Sequence, residues 1–245
     1  MVSVPHAGTN LPPDIASRLT DTGRALVDTD WHVDRLWDFA RALGATVLVA
    51  AYARTVVDLN RSPAGDALYP GQAETTICPT ESFDGEPLYA GRPPDAAEIA
   101  GRVVQYWQPY HNVLRQQLDR VRALHGAVHL LDAHSIRAVI PRLFAGRLPD
   151  LNYGTNSGAS ADPGLVARAM AATAPAGFSQ VLDGRFRGGH ITRAFGDPAR
   201  GVHAIQLEIS QDTYLGEASP GTFHDQPATR LIGALQLLAR KLMRA

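Results

Sequence analysis

Stretches with the period of a strand alternate with stretches that have the period of a helix along this chain of 245 residues. That alternation constrains the fold more than any other feature. VSVPHAG opens extended and reaches His6 almost at once. A strand that begins at residue 1 carries the expectation that further residues precede Met1. Residues 31–43 (WHVDRLWDFARAL) place Val33, Leu36, Trp37 and Ala40 at helical spacing, and Gly44 ends them. Residues 45–53 (ATVLVAAYA) are apolar and β-branched and read as a buried strand. Residues 95–124 carry a long helical pattern ending near His125 and Gly126, and the apolar run 128–131 follows as a strand. A helix over 163–174 takes Asp162 as its cap. SQVLDGRFRGGHITRAFG reads as a strand and a glycine-rich turn, and VHAIQLEIS (202–210) as another strand. Pro227 opens an amphipathic C-terminal helix to Leu242. The Gly/Pro-rich section 62–94 and the segment 141–162 read as loops. The pattern predicts one α/β domain over residues 1–245, built on a largely parallel sheet.

In such sheets ligands gather beyond the carboxyl ends of the strands, and there the polar residues of this chain collect. The run 128–131 ends in Asp132, His134 and Ser135; the first strand ends at His6; QLEIS carries Glu208 between Leu207 and Ile209. DTDWH puts Asp28, Asp30 and His32 at a helix start. Two imidazoles and a carboxylate from separate elements match the three-ligand plan of a catalytic zinc site. Each also has a plainer reading. Asp30 can cap the helix that follows, a single His after a strand can be structural, and Glu208 can pair with an arginine. Arg54, Asp58, Asn60 and Arg61 form a second cluster: arginine grips a carboxylate with two parallel bonds and asparagine adds a directed amide. Arg193 in GGHITRAFG is a further anion-binding candidate, whereas Gly188-Gly189 is too short for a nucleotide motif. His111 reads as a packed helix residue, and His190 is left unassigned.

A formal net charge of -1 gives no footprint for nucleic acid or a membrane surface. No apolar run reaches the roughly 20 residues that span a bilayer, and the start lacks the pattern of a signal peptide. The single cysteine, Cys78, excludes an internal disulfide and reads as a packed side chain; the expected location is cytoplasmic.

The segments VSVPHAGTNLP, DTDWHVDRL, ARTVVDLNRSP, YWQPYH, LLDAHSIRAVIPRLFAGRLPDLNYGTN, GGHITRAFG and AIQLEIS together resemble the N-formylglutamate amidohydrolase family of histidine degradation, in the family's order and over nearly the whole chain. A looser similarity extends to zinc carboxypeptidases and aspartoacylase. The resemblance implies a three-layer, phosphorylase/hydrolase-like α/β/α sandwich with a mixed, largely parallel sheet. It also implies hydrolysis of N-formyl-L-glutamate to formate and L-glutamate. His6 and His134 would then be metal ligands and Glu208 the catalytic carboxylate, with Arg54, Asn60 and Arg61 on the substrate. The carboxypeptidase His-x-x-Glu pattern is absent, since Thr9 stands three after His6. Asp30 is the choice for the third ligand, with Asp28 and Asp132 as alternatives. One divalent ion is expected, zinc first, with cobalt, manganese or iron able to substitute. A serine hydrolase built on Ser135, His134 and Asp132 ranks below it, because near neighbours on one strand do not form a face-to-face triad. Hydrolysis of another N-acyl amino acid, or a non-catalytic amino-acid or metal-binding module, are the remaining alternatives.

Overall fold

The computed structural model describes residues 1–66, 68, 74–216 and 221–243. Among these the elements follow in the order β1 (Val2–Val4), α1 (Pro13–Ala16), α2 (Asp21–Arg24), α3 (Val33–Leu36), α4 (Phe39–Ala42) and β2 (Val47–Val49). Then come α5 (Ala96–Arg102), a π-helical turn (Val103–Trp107), α6 (Gln108–His125), β3 (Val128–Ile136), β4 (Leu151–Gly154) and α7 (Pro163–Thr173). The chain closes with β5 (Gln180–Leu182), α8 (His190–Phe195), β6 (Val202–Ser210) and α9 (Asp225–Met243).

The strands form one mixed sheet in the order β2-β1-β3-β6-β4-β5. The first four are mutually parallel, while β4 runs antiparallel to β6 and parallel to β5. Period-two alternation separates the two faces. Leu131, Ala133, Ile205, Leu207 and Ile209 join Trp37 and the apolar stripe of α9 in one cluster. Leu130, Ala204 and Val128 join Tyr110, Leu114 and Leu118 of α6 and Ile191 and Phe195 of α8 in another. Helices thus cover both faces, as the α/β/α reading requires.

The sequence reading fails at four places. The single helix over 31–43 is two one-turn helices. Ala40 N bonds to Trp37 O and Arg41 N to Asp38 O, three residues back, so the chain tightens there. Periodicity still marked the buried side, since Val33, Leu36, Trp37 and Ala40 are all fully buried. The strand read over 45–53 is only Val47–Val49, half-exposed because it is an edge strand with one neighbour. β4 lies inside a segment read as loop. GGHITRAFG holds α8, which begins where Gly188 takes φ +110°, a conformation glycine reaches without strain. Elsewhere the reading agrees: Asp162 accepts a capping bond from Leu165 N, and α9 starts two residues before Pro227. The described part of section 62–94 holds turns and isolated bridges but no helix; its residues 67 and 69–73 lie outside the described residues.

Candidate active site

β1 leads to β2 on one side of the sheet, and the outgoing chain of β3 leads to β4 on the other. The carboxyl ends of β1 and β3 therefore diverge, leaving a crevice of the kind that binds ligands in open α/β sheets. His6 follows β1 and His134 lies near the end of β3. Asp30 is brought in from the segment before α3: its N–H donates to His6 O (3.2 Å), and the Ser135 N–H donates to its Oδ2 (3.1 Å).

The three side chains converge. His134 Nδ1 lies 3.1 Å from His6 Nδ1 and 3.1 Å from Asp30 Oδ2, and His6 Nδ1 lies 3.6 Å from Asp30 Oδ2. All three residues are buried. Donors bound tetrahedrally at zinc-like distances stand roughly 3.3–3.4 Å apart, so this donor set fits a small divalent cation. Two ring nitrogens and a carboxylate oxygen aim lone pairs at one point, an arrangement that a cation relieves. Asp28 is elsewhere: its Oδ2 accepts from Phe83 N (2.8 Å).

A layer of charge holds these three side chains. His6 Nε2 bonds Asp58 Oδ1 (2.8 Å), which fixes Nδ1 as the free nitrogen. Asp58 also accepts from Arg54 (2.7 Å) and from Asn60 N (2.9 Å). Asp132 Oδ2 stands 3.1 Å from His134 Nε2 as a charge contact without the alignment of a hydrogen bond. Its Oδ1 accepts from Ser3 Oγ (3.1 Å), which also meets Tyr110 Oη (3.0 Å). Burial alone would raise the Asp30 and Asp58 carboxyls. His6 with His134, and His6 with Arg54, outweigh it and hold both well below the usual carboxylate range. Burial opposes a charged His134 ring, but Asp132 and Asp30 raise its basicity. The same carboxylates make it a stronger donor to a cation.

Glu208 sits directly across the β3/β6 register from His134. Its carboxyl is pushed up to about 8, first by burial and then by Asp30, against the pull of His134. A carboxyl so placed takes up and returns a proton near neutral pH. His6, Asp30, His134, Glu208, Gln206 and Asn60 line one cleft. Arg54, Arg61 and Arg185 stand in its walls with Phe83, Ile136, Leu143 and Phe186.

The expected substrate-binding residues divide. Arg54 lines the cleft, yet its guanidinium is committed to Asp58 and, at 3.5 Å, to Asp30. Asn60 ties elements together: Oδ1 accepts from Ile191 N (2.8 Å) at the start of α8, and Nδ2 lies 3.0 Å from His134 Nε2. Arg61 remains in the wall, anchored to Thr75 O through Nε (2.8 Å). Arg193 is not among the cleft residues; its Nε donates to Gly188 O (2.8 Å). Ser135 points to the opposite face, where Tyr214 Oη donates to its hydroxyl (2.7 Å), so it cannot serve His134 as a nucleophile. His111 stacks on Trp107 and faces His190, and neither belongs to the converging group. Sequence reasoning assigned no role to Asp58, Gln206 or Arg185. Asp58 was visible in the DLNR run; Gln206 shares the period-two face of Glu208 and bonds Gly189 N (2.7 Å).

The sequence profile of the family described as N-formylglutamate amidohydrolase matches residues 1–215. The N-formylglutamate deformylase of Pseudomonas putida is 47% identical over 247 residues, covering 100% of this chain and 91% of that protein. The enzyme of that name from Pseudomonas aeruginosa is 47% identical over 245 residues, covering 99% and 92%. The crystal structure of N-formylglutamate amidohydrolase from Ralstonia eutropha JMP134 superimposes with a TM-score of 0.82 at 26% identity, covering 99% of this chain and 92% of that one. On that likeness, which spans the whole sheet and both flanking layers, the chain belongs to the N-formylglutamate amidohydrolase family.

Proposed function

We propose that this chain hydrolyses N-formyl-L-glutamate to formate and L-glutamate, with one divalent ion, zinc first, held by His6, Asp30 and His134. The observation that carries the reading is the convergence of those three buried donors beside the raised carboxyl of Glu208 in an arginine-walled cleft. The names of the relatives support the substrate. The cysteine usage goes with a cytoplasmic enzyme. A role in histidine degradation follows from the same substrate.

An ion held by His6, Asp30 and His134 would supply Lewis-acid polarisation of the formyl carbonyl and lower the pKa of a nearby water. Glu208 takes a proton from the attacking water as the water oxygen bonds to the formyl carbon. The same carboxyl returns the proton to the amide nitrogen as the C–N bond breaks, so that a neutral amine leaves. Asp58 and Asp132 keep the two imidazoles oriented, and Arg54 balances Asp58 and Asp30. Arg61 positions the substrate by its carboxylate, which places the amide against Glu208.

Metal-loaded protein is expected to release formate from N-formyl-L-glutamate. Glu208→Gln is expected to keep its ion by elemental analysis and to lose turnover by about 10²- to 10⁴-fold. Undiminished turnover in that variant removes Glu208 from the mechanism, and absence of formate from the parent removes the substrate.

A further inference from the structure

Arg185 was given no role by the sequence, yet it stands in the cleft wall, on the segment between β5 and α8. Three guanidiniums line the cleft, and that of Arg54 pairs with Asp58 and Asp30. Arg61 belongs to the same short turn as Asp58 and Asn60, and its guanidinium donates to Thr75 O (2.8 Å), Thr75 Oγ1 (3.2 Å) and Asn60 O (3.3 Å). Arg185 arrives from the other end of the chain. Its Nε donates to Leu143 O (2.9 Å), and its carbon centre lies 5.3 Å from the Phe186 ring. Held by an amide oxygen on one edge and an aromatic ring beneath, the guanidinium is fixed in orientation.

An apolar group of the lining adjoins both His134 and Arg185. Ile136 is two residues beyond His134 on β3, hence on the same face and about 6.6 Å farther out. Ile136 packs with Leu143, Phe186 and Phe83 in one cluster, and all four also line the cleft. A strip of hydrocarbon therefore leads from the converging ligands to a fixed guanidinium. That sequence of surfaces is complementary to a short run of methylenes ending in a carboxylate, which a planar fork binds through two parallel bonds.

We propose that Arg185 is the specificity-determining residue for the acidic side chain of the substrate. The methylenes lie along Ile136, Leu143 and Phe186, and the distal carboxylate meets Arg185, while Arg61 takes the carboxylate next to the scissile amide. The site thereby selects N-formyl amino acids that carry two carboxylates over isosteric neutral ones. This assignment rests on the hydrolase reading above and adds the origin of its selectivity.

The test compares the parent, Arg185→Met and Arg185→Lys on N-formyl-L-glutamate and on N-formyl-L-glutamine, which differs only in the charge of its side-chain end. The parent is expected to prefer the acid. In Arg185→Met, kcat/KM for the acid falls about 10- to 100-fold, chiefly through KM, and the preference collapses toward unity. Arg185→Lys, which keeps the charge and loses the fork, falls between. Equal losses on both substrates, or an undiminished preference in Arg185→Met, overturn the proposal. Thermal melting with L-glutamate or L-glutamine added checks folding and decides the matter without turnover. Glutamate should raise the parent's melting temperature more than glutamine does, and Arg185→Met should lose that difference. A parent that turns over neither compound refutes the hydrolase reading alone. A parent whose melting does not distinguish the two amino acids refutes the role of Arg185.

Discussion

Asp58 shows how much one side chain can do in this site. Fully buried, it holds His6 at Nε2, pairs with Arg54 and accepts the Asn60 N–H. Asp58→Asn keeps the shape, removes the charge and leaves Arg54 facing a neutral amide. We expect it to fold and to bind its ion about 10- to 100-fold more weakly, as read by competition with a chromogenic chelator. Unchanged affinity would mean that His6 needs no anionic partner. The sequence displayed His6 and His134 near strand ends, Asp30 at a helix start and Asp58 within the DLNR run. It did not separate the acid that faces a ligand's far nitrogen from one that faces the ion. That distinction turns on ring orientation, which spacing does not encode. The pairing of Arg54 with Asp58 and Asp30 was hidden for the same reason: an arginine that balances two carboxylates and one that grips a substrate have the same sequence signature.

At the scale of elements, long periodic segments were legible and short ones were not. β3, β6, α6 and α9 carry enough residues for their period to declare itself. β2 and β4 have three and four residues, and α8 follows two glycines that read as a turn. Yet Gly189 is where α8 meets the site. A Cβ there would stand 2.3 Å from Asn60 Nδ2, whose amide is buried and bonded to α8 and so cannot yield cheaply. Gly189→Ala is therefore expected to cost about 1–3 kcal/mol and to lower formate release, since Asn60 moves with the start of α8. A melting curve and a rate recorded on the same preparation check this. A variant with unaltered melting would show that Asn60 has room to retreat.

At the scale of the molecule, the site is a concentration of negative charge. Asp30, Asp58 and Asp132 are buried within one region beside the raised carboxyl of Glu208, and Arg54 pairs with two of the three aspartates. Unpaired buried charge is costly, so a bound dication should stabilise the whole fold. At a thousandfold excess over Kd, linkage gives about 4 kcal/mol, or on the order of 10 °C in a domain of this size. Dialysis against a chelator should lower the melting temperature by that order, and returning the metal should restore it. An unchanged melting temperature would indicate that the acids are balanced without an ion. The overall class was legible because it follows from alternation, whereas this charge balance depends on residues as far apart as Asp30 and Glu208.

The pairing of His134 with Glu208 across β3 and β6 belongs to a ladder that also seats Ala133 against Leu207 and Leu131 against Ile205. A slip of one residue would turn every side chain of one strand to the wrong side of the sheet. Oil and acid would then trade places together, so a copy that assembled its interior wrongly would also take apart the group of His134 and Glu208. In this protein the hydrophobic interior proofreads the cleft.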